Sequence, residues 1–330
     1  MASAIGVISG LITIFLFARD ELGQDDPPNA VLNFKVGLDG TNPPAGIDGG
    51  PLTDAGGNIP DVRLWNENGG FIGITTNDNN NCGSGADVCE TKVSDVEQQP
   101  TYTLLTGNND AICLSWAAIT FPGGQQYGCP LGNWAQECAN NHGGEATWYW
   151  SNIFLELEEG GEAPVPCAWV DADGDMPTTG IQIHWPDFSP GTAGDVGTSF
   201  YCANNFALRF RFDEDPSTVI RPARRSLEPY ENKQYTRLRK RFEKDSRLVK
   251  SSVAQHSASE LCNAPTSVGP SFVSYAERAF CYMPTKTVYP FCEEDSAGAC
   301  WSDDDDLVVV KGDARIENVP AMTFNQTLSW

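Results

Sequence analysis

Eleven cysteines, Cys82, Cys89, Cys113, Cys129, Cys138, Cys167, Cys202, Cys262, Cys281, Cys292 and Cys300, constrain this chain more than any other feature. No two stand in the C-x-x-C spacing of zinc ribbons and redox motifs. Only three histidines are present (His142, His184, His256), so a Cys/His metal site is poorly supplied. Disulfides formed in an oxidising, extracellular compartment are the better account. The spacing predicts at least four bridges, among them a local Cys82–Cys89 loop and a pairing within Cys281, Cys292 and Cys300. The count is odd, so one thiol is free, intermolecular or buried. A single N-glycosylation sequon at Asn325-Gln326-Thr327 agrees with secretion.

A chain of 330 residues has room for one large or two modest domains. Its 32 glycines and 22 prolines, with many Asn and Asp residues, make turns frequent and lean the class towards β structure. Charge is unevenly spread. Residues 1–220 hold six Lys/Arg against 29 Asp/Glu and carry the whole net charge of −23, whereas residues 221–330 hold 15 of each. Within the latter, 221–250 carries 11 basic and four acidic residues. An acidic body of this kind repels phosphates, which argues against nucleic acid as a partner.

Residues 4–17 (AIGVISGLITIFLF) form an apolar run too short to span a bilayer comfortably. Two readings stand. The run is a signal-peptide core cut near Ala18, although no Lys or Arg precedes it and Leu16 occupies a position that favours a small residue. Alternatively it is a retained helix, packed or membrane-seeking. Membrane contact is expected only through this segment.

Beyond a polar connector the pattern becomes short apolar runs divided by turn chemistry. Val31–Val36 reads as a strand. Asp61–Asn66 and Phe71–Thr76 flank Asn68-Gly69-Gly70 as a hairpin, and Thr101–Thr106 and Ala111–Thr120 flank Gly107–Asp110 as a second. Thr147–Glu158, Cys167–Asp171, Gly180–Trp185 and Ser199–Phe212 extend the set. Such spacing predicts a mainly β fold, an antiparallel sandwich over 30–212. Leu227–Val253 is rich in helix formers and places Tyr230, Leu238, Phe242 and Val249 on one face, so 213–260 is expected to be a basic helical linker. Residues 1–29 are the apolar segment and connector, and 261–330 form a small cysteine-rich part.

The stretches PLTDAGGNIPDVRLWNENGGFIGI, NNDAICLSWAAITFPGG, WYWSNIFLE and CAWVDADGDMPTTGIQIHWPDF resemble a group of secreted, cysteine-containing proteins of filamentous fungi. The similarity covers roughly residues 30–205, and more loosely SFVSYAERAFCYMPTKTVYPFC. It implies secretion. No established activity attaches to the group, so no site residue is carried over.

Phosphate loops, dinucleotide fingerprints, H-E-x-x-H and nucleophile elbows are all missing. Asp171, Asp173 and Asp175, with Gly174, present alternate carboxylates as a Ca2+ loop does. Met176 and Gln182 stand where an EF-hand needs glycine and a bidentate glutamate, and a plain Asp-Gly turn is the competing reading. Trp148 and Trp150 share a strand face and, with Trp185 and His184, offer a platform for sugar rings or, equally, a tryptophan-rich core. Glu156 and Glu158 lie roughly 7 Å apart by strand rise, nearer the inverting range for glycoside hydrolysis. Arg224-Arg225 and Lys240-Arg241 are dibasic processing sites, or else basic groups docked on the acidic body. The reading is therefore a secreted, non-enzymatic binding protein for extracellular glycan, cell wall or host surface, with self-association left open. A proteolytically matured membrane-active toxin and a carbohydrate-active enzyme are the alternatives.

Overall fold

The computed structural model describes residues 28–38, 54–84, 88–156, 162–188, 198–203, 206–220, 246–264, 267–293, 298–311 and 322–330. The chain divides into two compact units, Met1–Tyr235 and Thr236–Trp330.

The first unit opens with strands β1 (Ala30–Val36), β2 (Gly57–Asn58), β3 (Asp61–Trp65), β4 (Phe71–Thr75), β5 (Asn81–Cys82) and β6 (Cys89–Val93). Then come β7 (Tyr102–Thr106), β8 (Ile112–Thr120), β9 (Gln126–Cys129), helix α1 (Leu131–His142), β10 (Trp148–Glu156) and β11 (Glu162–Val170). Strand β12 (Gly180–His184), a 3-10 turn (Trp185–Phe188), helix α2 (Thr198–Cys202) and β13 (Leu208–Arg211) complete it. One sheet runs β10-β11-β8-β1-β6, with β9 on the second half of β8. Another runs β13-β12-β7-β3-β4, and β2 pairs with β5. Every pairing in this unit is antiparallel.

All residues of β7 and of β8 are buried, so both faces of each strand are covered. That explains why they read as continuous runs rather than as an alternation. Their expected hairpin does not form, since β7 pairs with β3 and β12 whereas β8 pairs with β1, β9 and β11. The connection is pinned elsewhere. Gly107 donates its N–H to Thr179 O at 2.9 Å and lies so close to Asp171 that a Cβ would meet its backbone at 2.5 Å. Asn108 Nδ2 donates to Ile59 O at 2.8 Å. The Asp61–Trp65 and Phe71–Thr75 hairpin does form.

Helix α1 is an element the turn-and-strand pattern leaves out. Leu131, Trp134, Ala135, Cys138 and Ala139 are its buried stripe, and Gly143 at φ 67° ends it in the left-handed conformation. The expected strand over Ser199–Phe212 begins instead as α2, whose Cys202 is bonded to Cys138 of α1. Cys82–Cys89 forms as the spacing predicts, Cys113–Cys167 joins β8 to β11, and Cys129 is the buried free thiol.

The second unit holds β14 (Arg247–Ser251), α3 (Ala258–Asn263), β15 (Ser271–Ser274), β16 (Ala279–Tyr282), β17 (Thr287–Pro290), β18 (Gly298–Ser302), β19 (Leu307–Lys311) and β20 (Gln326–Ser329). Its sheet runs β17-β16-β15-β14-β20, with β14 parallel to both neighbours, and β18 pairs with β19. Residues 247–251, expected at the end of a helix, are thus an interior strand. Leu248 packs with Val273, Phe280, Trp301 and Val308, and the apolar core they form draws the segment into the sheet, where Leu248 and Val249 are both buried. The rest of the expected helix, 221–245, lies outside the described residues. Ser257 caps α3 by accepting from Glu260 N at 3.0 Å. Cys292–Cys300 realises the pairing expected among the last cysteines, while Cys281 reaches back to Cys262.

Candidate functional site

Strand register builds the candidate site. Trp65 of β3 stands opposite Phe71 of β4 on one side and Tyr102 of β7 on the other, and Tyr102 stands opposite His184 of β12. Directly opposed residues share a sheet face, so Phe71, Trp65, Tyr102 and His184 form one row across four strands. Trp65 and Phe71 meet edge to face at 5.6 Å, Tyr102 and His184 lie 4.2 Å apart at 30°, and Phe206 closes the row edge-on to His184 at 5.9 Å. The bulge in β4 pairs Leu64 with Gly73 and Trp65 with Phe71, which leaves Ile72 unopposed and brings Phe71 and Ile74 to the same face. Both are open to solvent, Phe71 at 58% and Ile74 at 43%.

His184 is held between two carboxylates. Its Nδ1 is 2.7 Å from Asp187 Oδ2 and its Nε2 is 2.9 Å from Glu67 Oε2. The His184 side chain is buried, whereas Glu67 is 61% exposed. Burial by itself lowers the imidazole pKa, but hydrogen bonds and charge from Asp187 and Glu67 outweigh it and hold His184 above its ordinary value. Partial burial raises the Glu67 carboxyl, but hydrogen bonds from His184 and Thr101, with the charge of His184, together outweigh that, so Glu67 sits below its usual range. The β3–β4 turn carrying Glu67 is closed by Asn66, whose N–H donates to Gly70 O at 2.9 Å and whose Oδ1 accepts from Gly70 N at 2.7 Å. Asn66 Nδ2 donates to Gln98 Oε1 at 2.6 Å.

Of the residues singled out by sequence, His184 lies in this site and Asp187 joins it. Trp148, Trp150 and Trp185 do not supply a platform, because they are 0%, 3% and 0% exposed. Trp148 and Trp150 meet each other at 5.3 Å, and Trp185 Nε1 donates to Thr103 Oγ1 at 2.6 Å. They are core. Glu67 and Phe71 carry no sequence motif; only their place flanking a hairpin turn marked them.

The aspartate loop is folded on itself. Asp171 is fully buried, its Oδ2 accepts from Met176 N at 2.9 Å, and Asp173 Oδ1 accepts from Asp175 N at 3.2 Å. Gly174 takes φ 93°, as a tight turn requires. Burial first, and the adjacent Asp173 second, push the Asp171 carboxyl up to about 6. Among the described residues, no group of three or more His, Cys, Asp or Glu side chains is arranged to hold a metal ion.

In the second unit, Lys286 and Ser267 look like a nucleophile–base pair, since Lys286 Nζ hydrogen-bonds Ser267 Oγ and burial pushes the amine down to about 7. Their surroundings say otherwise. Lys286 Nζ also donates to Ser267 O at 2.6 Å, Ala264 O at 3.2 Å and Leu261 O at 3.3 Å, and Ser267 is fully buried. Four oxygens favour the ammonium, which closes off the carbonyls at the end of α3. This is a structural contact.

Asn325 is exposed and immediately precedes β20. Residues 4–17, Glu158, Arg224, Arg225, Lys240 and Arg241 lie outside the described residues, as does the Glu156 side chain. No helix among the described residues is long and apolar enough to cross a membrane. No protein-family model matches this chain, and no curated protein matches it either.

Proposed function

We propose that this is a secreted, non-enzymatic binding protein that engages an extracellular glycan or glycan-bearing surface at the open end of the aromatic row. The observation that carries this reading is Phe71, a large apolar ring left 58% exposed on a sheet face, at the end of a turn that also carries the exposed Glu67 carboxylate and the Asn66 amide. An apolar ring face with hydrogen-bonding neighbours suits a sugar ring, which offers C–H groups on one side and hydroxyls at its edge. Five disulfides support an extracellular setting.

The same reading takes the two larger sheets of the first unit as layers of a sandwich. Complete burial of β7 and β8 supports it. So does the approach of their edge strands, where Thr75 Oγ1 donates to Lys92 O at 2.5 Å and Gly73 leaves no room for a Cβ beside Val93.

A glycan array probed with the intact protein tests the function. Wild type is expected to bind a defined subset of glycans, and Phe71→Ala to weaken the best of them about tenfold, or about 1.4 kcal/mol. Trp150→Phe, a change in the core, should leave binding intact. An array on which wild type binds nothing, or binding indifferent to Phe71→Ala, overturns the assignment.

A further inference from the structure

We propose that His184 is a pH-operated latch: in acid it bonds Asp187 and Glu67 together and clamps the β3–β4 turn, and at higher pH it lets the turn go. This goes beyond glycan binding and does not depend on it. The geometry sets both states. An imidazolium carries two N–H donors, Nδ1–H for Asp187 and Nε2–H for Glu67, and both contacts lie within hydrogen-bonding distance at 2.7 and 2.9 Å. A neutral imidazole has one N–H, so one carboxylate then faces a bare nitrogen lone pair.

Asp187 keeps its proton donor in preference to Glu67. It is three residues away on the adjoining 3-10 turn with its side chain 15% exposed, whereas Glu67 is 61% exposed and reaches water at once. The other groups against the ring do not compete. Tyr102 of β7 stacks on it, and Phe206 meets it edge-on. The charged groups facing His184 are therefore Glu67 from the β3–β4 turn and Asp187 from the 3-10 turn, with none contributed by β7 or the segment before β13.

The sign follows from linkage. A histidine held above its ordinary pKa stabilises the closed turn below about pH 6.5 and loses that contribution as pH rises through its folded value. Because Glu67 and Phe71 bracket a single tight turn, its release changes the setting of the exposed ring.

Amide hydrogen exchange of Gly69 and Gly70 in the intact protein, corrected for the intrinsic pH dependence, reads the latch directly. Protection in wild type is expected to fall by about two- to five-fold as His184 loses its proton, the range for a half-exposed ion pair. His184→Gln tests the imidazole, and Glu67→Gln, at an exposed position that leaves the core untouched, keeps the test open should the first variant fold poorly. Either variant should flatten the pH dependence, and Glu67→Gln should also lower the His184 pKa followed by its ring proton resonances. Turn protection that stays constant while His184 titrates, or that keeps its pH dependence in Glu67→Gln, overturns the latch. Glycan binding plays no part in this readout, so failure of the function and failure of the latch are separate results.

Discussion

Lys250 Nζ lies 2.6 Å from Asp306 Oδ1 and 3.0 Å from Asp303 Oδ1, so the acidic run after β18 serves as a socket for the last lysine of the basic stretch. Asp303 also accepts from Tyr275 Oη at 3.0 Å and from Trp301 Nε1 at 3.2 Å. Burial opposes the charges on Lys250 and Asp303, but hydrogen bonds and charge from Asp306 and Asp303 hold the lysine above its ordinary pKa, and hydrogen bonds from Lys250, Trp301 and Tyr275, with the lysine's charge, hold the aspartate below its own. Lys250→Met should destabilise the protein by about 1 kcal/mol at low salt and less at high salt. The wild-type advantage should be full at neutral pH and disappear in acid, as Asp303 gains its proton. Denaturation curves at two salt concentrations and two pH values measure this; a salt-independent difference would point to lost packing alone.

Asp171 sets a pH dependence of the opposite sign. Its folded carboxyl, raised from 3.8 to about 6, holds a proton more tightly than it does in the unfolded chain. Stability from this group therefore falls as pH rises from about 4 to about 6 and stays flat above, by at most about 3 kcal/mol. Asp171→Asn keeps an acceptor for the Met176 N–H and carries no charge. Guanidinium midpoints at pH 4.5 and 7 should show the variant less pH-sensitive than wild type and more stable at pH 7. Parallel curves for the two proteins refute the assignment.

Cys129 offers a test of the disulfide pattern. It is fully buried, and burial pushes its thiol well above the ordinary value, so the reactive thiolate is scarce. Intact-mass analysis after alkylation without reductant should show no added group on the native protein and one after denaturation. Two or more would break the five-bridge assignment.

The disulfides also decide what a cut in the basic stretch does. Three bridges join residues 82–202 and two join residues 262–300, with none between the sets. Cleavage within 221–245, whether at Lys240-Arg241 or by added trypsin, should yield two fragments that separate on a denaturing gel without reductant. Fragments that stay joined until reduced would require a bridge absent from this pattern.

Much of the β content was legible because turn chemistry and apolar runs are local signals. The β3–β4 hairpin and the Cys82–Cys89 loop depend on residues close in sequence, and both form. Which sheet a strand enters is not local: β7 and β8 part company through contacts of Gly107 with Asp171 and Thr179 that no window of sequence contains. Helix α1 does carry a legible stripe at Leu131, Trp134, Ala135, Cys138 and Ala139 between Pro130 and Gly143, yet its Asn and Gly surroundings read as loop. At the candidate site, His184 and Asp187 are near neighbours and could be paired from spacing. Glu67, 117 positions from His184, is brought there by strand register alone. The tryptophans mislead for a plain reason: an indole is equally suited to a sugar and to a core, and only burial tells them apart.

The order of strands in the second unit governs how it can be made. Among the described strands of that unit, β14 comes first in sequence yet lies interior in its sheet, and its outer neighbour β20 comes last; Arg247 stands opposite Gln326, 79 positions away. Until synthesis reaches Leu328, one side of β14 is left as an open row of backbone groups. Closing so long a loop between parallel strands is also intrinsically slow. During translation, this sheet must therefore wait for Gln326–Ser329 before it is whole, and a chain that stops short of them emerges with an interior strand, β14, turned into a sticky edge.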